Sequence, residues 1–276
     1  MRTHNAISEY KKSNTAADRI HFLNTAASDA ILIESCGKFA LIDCAEDNDN
    51  PRGFKWLDYQ GYEQLVLAYL KKNAAEKNEK IHLDFILGTH SHSDHIGGFD
   101  TVVSDPAVSV DRAYLKKYDE NKINRFEVEK WDNKEVYNQM VEALTNKNIP
   151  IISELSNTPF HLGNFKITLY NTEDNDCKKV GENDRSLGIL LEKDGTRIFL
   201  AGDIDNFSGD EIRLAPQIGK INLLKVGHHS YAGSTSVCWL KTLKPDTFII
   251  TNRHKGTDKK TCFKIKLIAR SDIFPE

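Results

Sequence analysis

The sequence predicts an α/β fold: two sheets packed face to face with helices outside, a four-layer αββα sandwich. Three observations predict it. Short apolar runs bounded by turn residues occur in two sets, one in each half of the chain, and helical patterns intersperse both. The 276 residues can bury one large core, and no linker or low-complexity segment divides them. Three of the apolar runs end in metal-ligand residue types, as strands that feed one site do. The domain is expected over 20–252, after a polar arm at 1–19. A basic tail, or a shortened end of the domain, follows at 253–276.

In the first half, 20–25, 30–34 and 39–43 read as short strands, the last two joined by the turn Cys36-Gly37-Lys38. Asp43 opens an acidic loop over 46–50 that reads as a solvated turn or, alternatively, as a wall of an active-site mouth or a hard-cation site. Residues 62–77 carry Leu65, Val66, Tyr69 and Leu70 at helical spacing. An apolar strand over 81–87 follows, then a helix over 96–103, a strand over 111–118 and a long helix over 131–148, stopped by Pro150. In the second half, 160–162 and 165–170 form a hairpin turned at Gly163-Asn164. Strands over 187–192 and 197–201 turn at Asp194-Gly195, a strong hairpin signal. A strand over 221–226, a helix over 235–243 and a strand over 247–251 complete the plan. The tail from Arg253, where basic residues outnumber acidic ones, reads as solvated.

Composition bounds the function. A hydrophobic share of 39% with 28% charged residues describes an ordinary globular chain. A net charge of -3 gives no global attraction to nucleic acid, which is therefore not an expected partner. No apolar run reaches the roughly 18–20 residues of a membrane span. The polar start lacks a signal-peptide core, so a cytoplasmic location is expected for this form. Cys36, Cys44, Cys177, Cys238 and Cys262 are scattered and read as free, mostly buried thiols.

The chemistry centres on residues 89–98, T-H-S-H-S-D-H-I-G-G. His90, His92, Asp94 and His95 supply imidazole nitrogen and carboxylate oxygen, the ligand set of zinc, iron or manganese. They follow an apolar strand and precede Gly97-Gly98, which suits a sharp turn into a helix. Two later strand ends add Asp203, after Gly202, and the pair His228-His229. Together these are enough ligands for two divalent ions sharing one carboxylate, with Asp203 as the natural bridge. His90 and His92 would face one ion, Asp94 and His95 the other.

H-x-H-x-D-H, then G-D, then a late strand-end histidine resembles the metallo-β-lactamase superfamily of binuclear hydrolases, over about 20–252. The resemblance implies an αββα fold and a metal set of His90, His92, Asp94, His95, Asp203 and one of His228/His229. It implies two divalent ions, zinc first, with manganese or iron as alternatives. Most branches carry a further histidine before G-D. His161 alone falls in that interval, inside a strand, and Asn183 stands where the histidine is expected. That departure argues against a lactamase, glyoxalase or lactonase.

The N-x-x-S-L and K-x-x-H-H patterns resemble a narrower branch. Residues 28–35, 111–118, 131–133, 202–206 and 218–225 look like segments of the teichoic-acid phosphorylcholine esterase catalytic domain, a secreted enzyme. The nuclease-like domain of the DNA-uptake competence channel shares the asparagine, but its H-H-G-S reads H-H-S-Y here. The resemblance implies a binuclear phosphodiesterase in which metal-bound hydroxide attacks phosphorus of a small or polymer-linked phosphoester, phosphocholine among the candidates. His229 is assigned to metal; Asp94 and His228 take catalytic parts, His228 meeting the phosphate or the leaving oxygen. Asn183 and Tyr231 face substrate, while Asp43 and Asp205 orient ligand histidines from behind. Trp56, Tyr59, Trp131, Tyr231 and Trp239 are the aromatics available to a choline cation. The alternatives are a nuclease, for which Lys116, Lys117, Lys178 and Lys179 make too short a basic strip, and a metal-binding but inactive interaction module.

Overall fold

Strands buried on both faces build two sheets, because successive side chains point alternately to the core between the sheets and to the helices outside. The computed structural model describes residues 18–47, 60–76, 79–173, 181–253 and 256–273. The first sheet contains β1 (Arg19–Phe22), β2 (Ala30–Ser35), β3 (Lys38–Cys44), β5 (Phe85–Gly88), β7 (Ala113–Leu115) and β8 (Ile151–Ile152), in that spatial order. The second contains β9 (Phe160–Leu162), β10 (Phe165–Tyr170), β11 (Gly188–Lys193), β12 (Thr196–Leu200), β13 (Leu223–Lys225) and β14 (Thr247–Ile249), in spatial order β14-β13-β12-β11-β10-β9. The neighbours β3/β5, β5/β7 and β7/β8 are parallel, as are β12/β13 and β13/β14, so strand C-termini from both sheets collect along one edge.

The alternation assigns each residue a layer. Ile31, Ile33, Ile42, Phe85 and Leu87 meet Ile167, Ile189 and Leu191 between the sheets. Leu32, Leu41 and Ile86 face the other way, against α1 (Glu63–Asn73), α3 (Phe99–Ser104) and α5 (Asn133–Asn146). On the far side, Leu190, Phe199 and Leu224 pack on α6 (Asp210–Ile218) and α7 (Val237–Leu243), with Trp239 fully buried among them. This is the αββα sandwich expected from the sequence.

Several boundaries differ. The run over 81–87 is two strands: β4 (Ile81–Leu83) pairs with β6 (Val108–Val110) outside the main sheet, while β5 enters it. Asp84 divides them; its amide donates to Phe39 O at 2.8 Å and its carboxylate accepts Phe39 N at 3.2 Å. The helix expected over 96–103 is likewise two pieces, α2 (Ser93–Ile96) and α3, because the chain turns at Gly97-Gly98. A Cβ on Gly98 would lie 2.4 Å from Cys44 O, so the backbone approaches too closely for any side chain. Helices α4 (Arg125–Lys130) and α6 are additional to the elements expected from the sequence.

A helix, α8 (Lys259–Ile273), occupies the stretch expected as a solvated tail, with Phe263 and Leu267 on it still exposed. Asp258 caps that helix through Thr261 N at 2.8 Å, Ile265 packs against the second-sheet core, and Lys264 Nζ reaches the Ser234 and Thr235 carbonyls. The cysteines also differ from expectation, since Cys44 is buried but Cys36 and Cys238 are exposed. Glu46 and Asp47 of the acidic loop are buried, each 4% exposed, rather than solvated. The rest of that loop, residues 1–17, Trp56, Tyr59, Cys177, Lys178 and Lys179 lie outside the described residues. Among the described residues no helix is long and apolar enough to cross a membrane.

Candidate metal centre

The strand ends β5, β12 and β13 deliver the histidines and aspartates to one point. Past β5, Thr89 is tied at both ends of its donor set to Asp43: Thr89 N donates to Oδ1 and its hydroxyl to Oδ2, both at 2.8 Å. His90 and His92 therefore leave a fixed strand end, and His92 sits at the N-cap of α2, which carries Asp94 and His95. Past β12, Gly202 takes φ +50°, and Asp203 N donates to Ser186 Oγ at 2.9 Å. Past β13, His228, His229 and Ser230 have φ of 46°, 47° and 68°. Three successive left-handed residues with side chains are costly, and surrounding structure must hold them there.

The ligand atoms form two groups. In the first, His90 Nε2 lies 3.0 Å from His92 Nδ1 and 3.9 Å from Asp203 Oδ2. In the second, His95 Nε2 lies 3.1 Å from both His229 Nε2 and Asp203 Oδ1, and His229 Nε2 lies 3.3 Å from Asp94 Oδ2. Within each group the ligand atoms fall within 4.8 Å of one another. Asp203 belongs to both, one oxygen toward each.

The far ring nitrogens have partners that set tautomers. His95 Nδ1 is 2.8 Å from Asp43 Oδ2, His229 Nδ1 is 2.9 Å from Thr251 O, and His92 Nε2 is 3.3 Å from Glu127 Oε2. Each acceptor holds the ring proton on the outside and leaves a lone pair facing the centre. His228 stands apart: Asn183 Nδ2 is 3.0 Å from its Nε2, and Asp205 Oδ2 is 3.8 Å from its Nδ1. Asp43 thus backs His95, and Asp205 stands behind His228 rather than behind a member of either group.

The electrostatics fit a divalent cation. Burial alone would lower the pKa of His95, but Asp203, Asp43 and Asp94 raise it well above the ordinary value; His229 is raised in the same way by Asp203 and Asp29. Burial would raise Asp203, and the facing His229, His95 and His228 pull it well down. The carboxylates that raise both imidazoles, Asp203, Asp43, Asp94 and Asp29, attract a doubly charged ion more strongly than a single proton. Asp203 Oδ1 also accepts no hydrogen bond among the described residues. In the first group, by contrast, burial and the neighbouring His95 and His92 hold His90 well below its ordinary value, with its lone pair available.

Above both groups opens a cleft of about 440 Å³, lined by Thr25–Ser28, Glu46, Tyr62, His92, Asp94, Glu127, Trp131, Asn183, Asp203, His228, Tyr231 and Arg253, among others. Trp131 stacks on His92 with ring centroids 6.0 Å apart, and Tyr231 meets His228 edge-on at 5.5 Å. Of the aromatics singled out in the sequence, Trp131 and Tyr231 line the cleft, whereas Trp239 is core. Lys116 is buried and does not line the cleft, so the described part of the basic strip is absent from it.

Sequence reasoning missed Glu127, Arg253, Asp29 and Lys225. Glu127 lies on a short helix whose only local signal is Asn124 capping it, with Asn124 Oδ1 accepting Glu127 N at 3.0 Å. Lys225 appeared in the K-x-x-H-H pattern but is fully buried here, against Asp29.

A two-sheet sandwich with paired imidazole–carboxylate groups at its strand ends defines a metal-site α/β protein. Residues 40–228 match the family described as the beta-lactamase superfamily domain, and the chain belongs to that family, with the metallo-β-lactamase fold. Its members are generally metal-dependent hydrolases. The sequence is 25% identical over 216 residues to ComE operon protein 3 of Bacillus subtilis, covering 76% of this chain and 25% of that protein. It is 24% identical over 244 residues to Recombination protein 2 of Haemophilus influenzae, covering 88% of this chain and 25% of that protein. The chain thus spans about a quarter of the length of these relatives. Among solved structures, a mutant of the beta-hydroxylase CmlA is similar in fold, with TM-score 0.51 and 13% identity over 94% of this chain and 51% of that one.

Proposed function

We propose that this chain is a binuclear metal-dependent hydrolase acting on a phosphoester. The observation that carries the reading is Asp203, whose two oxygens face two separate imidazole groups at the floor of an open cleft. His90, His92 and Asp203 would hold one ion; Asp94, His95, Asp203 and His229 would hold the other. A divalent pair supplies charge that acidifies water and neutralises phosphoryl oxygens.

The chain's own groups do the rest. Arg253, at the cleft wall, offers a cation to a phosphate oxygen. Asn183 and His228, 3.0 Å apart, present a polar pair beside the metal groups. Burial lowers the pKa of His228, so the ring is neutral at pH 7. That favours hydrogen bonding to the phosphate over proton donation to the leaving oxygen. Asn183 supplies no imidazole to the first group, which is accordingly the weaker of the two.

Phosphocholine is the finer reading. Trp131 and Tyr231 offer aromatic faces, and Glu46 and Glu127 offer negative charge, in the same cleft as the metal groups. A DNA phosphodiester is the second reading, favoured by the similarity to Recombination protein 2 and ComE operon protein 3. Against it, Arg253 is the single Lys or Arg among the described residues lining the cleft.

The test is hydrolysis of p-nitrophenyl-phosphorylcholine, bis-p-nitrophenyl phosphate and single-stranded DNA by metal-reconstituted protein, with Asp203→Asn as control. Turnover of the choline ester, lost in the control, is expected. Turnover of DNA alone would replace it with the second reading, and turnover of none would overturn the hydrolase.

A further inference from the structure

Beneath the second metal group lies a buried ion pair with no part in the function argued above. Lys225, on β13 of the second sheet, is fully buried, and so is Asp29, just before β2 of the first sheet. Their side chains are in direct contact, and Lys225 Nζ also donates to Gly202 O at 3.0 Å and lies 3.9 Å from Asp203 Oδ1. Asp29 Oδ2 is 3.9 Å from His95 Nδ1, and its Oδ1 is 3.7 Å from His229 Nδ1. The Asp29 backbone is tied as well: its N–H donates to Asp94 O at 3.0 Å, and its carbonyl accepts Ala45 N at 2.7 Å.

One ion pair therefore touches or borders every element that contributes to the second group: the turn bearing Asp94 and His95, the turn bearing Asp203, and the back of the His229 ring. It also joins the two sheets at the edge where their strand ends meet. A buried ion pair is weak evidence for stability, because desolvating two charges offsets their attraction. Its placement argues for a different use. Asp43 already accepts from His95 Nδ1, so a second buried carboxylate there would repel it without a fixed cation beside it.

We propose that the Asp29–Lys225 pair is a positioning device that sets the geometry, and so the metal affinity, of the Asp94–His95–Asp203–His229 group, and reaches the His90–His92 group only through the shared Asp203. The proposal rests on the metal-site reading above. Outer partners of metal ligands typically change affinity by roughly 10–100-fold when removed, and that is the expected size here.

The experiment compares wild type, Asp29→Asn and the double variant Asp29→Asn/Lys225→Met. Cobalt(II) is titrated against a competing chelator, and the visible absorption of the bound ion is recorded. Asp29→Asn keeps the side-chain size and both backbone hydrogen bonds, so it tests the idea even should the double variant not fold. Weaker binding of the tighter cobalt ion, by about 10–100-fold, with an altered spectrum and a smaller loss at the weaker site, is expected in Asp29→Asn. In the double variant the metal-free melting temperature should recover toward wild type while the affinity does not. Wild-type cobalt affinity and spectrum in Asp29→Asn would overturn the proposal, as would affinity that returns together with stability in the double variant. Failure of wild type to bind cobalt at all would instead overturn the metal-site reading.

Discussion

Metal-linked stability tests the centre without assuming any substrate. The two ligand groups share Asp203 and nothing else, so their contributions should separate by mutation. An ion that binds only the folded chain, at a free concentration about 100 times its Kd, stabilises it by about 2.7 kcal/mol. For a chain somewhat above 250 residues, a shift of about 2 °C per kcal/mol applies, or roughly 5 °C for one ion. Zinc or manganese added to chelator-treated protein should therefore raise the melting temperature in two steps. The first belongs to the Asp94, His95, Asp203 and His229 group, which has two carboxylates; the second belongs to the His90 and His92 group, which has one. His229→Ala should remove the first step and His90→Ala the second. Asp203→Asn should remove both, because an amide offers neither the charge nor an anionic oxygen to each side. Differential scanning fluorimetry at graded free metal reads all four proteins. An undiminished shift in Asp203→Asn would refute the bridging argument, and identical losses in His229→Ala and His90→Ala would refute the separation into two groups.

Three further outcomes follow from the same geometry. Gly227→Ala would put a Cβ 2.3 Å from the Ile204 carbonyl oxygen, a backbone clash that pushes apart the turns bearing His229 and Asp203; cobalt binding should fall far more than the urea midpoint does. Leu87→Ala empties a fully buried position between the sheets and should cost about 2–5 kcal/mol in urea denaturation, with the m-value unchanged. The Asp205 carboxyl is pushed up to about 7, first by burial and then by the nearby Asp184, Glu211 and Asp203 charges. Its folded pKa exceeds its unfolded one, so the stability it confers is complete below about pH 4 and is lost as pH rises through 7. Metal-free Asp205→Asn should show a flatter decline of stability between pH 4 and 7 than wild type, measured by urea denaturation across that range.

Much of the centre was legible because its signals are local. His90, His92, Asp94 and His95 fall within six positions after one apolar run, and Asp203 and His229 each close another. The hairpins turning at Gly163 and at Asp194-Gly195 were readable for the same reason, since their turn chemistry lies in adjacent residues. The break at Asp84 was not, because it depends on which backbone groups of Phe39 that residue meets. Helix α8 was hidden by its many lysines, although Asp258 three residues before Thr261 was a capping signal within reach.

By itself, then, the chain order of apolar runs, turn residues and ligand types determined the sandwich class and which residues stand at strand ends. Only the tertiary structure decided how those ends meet. It separated His229, converging with Asp94, His95 and Asp203, from His228, held by Asn183 and Asp205, although the two are adjacent in sequence. It sent Trp131 to the cleft and Trp239 to the core, two tryptophans no composition distinguishes. It also joined Asp29 to Lys225 across the two sheets. The physical reason is range. Periodicity and turn chemistry act between neighbours and are written in short stretches, whereas burial, tautomer and charge pairing depend on residues far apart in sequence that only the packed sheets bring within a few ångströms.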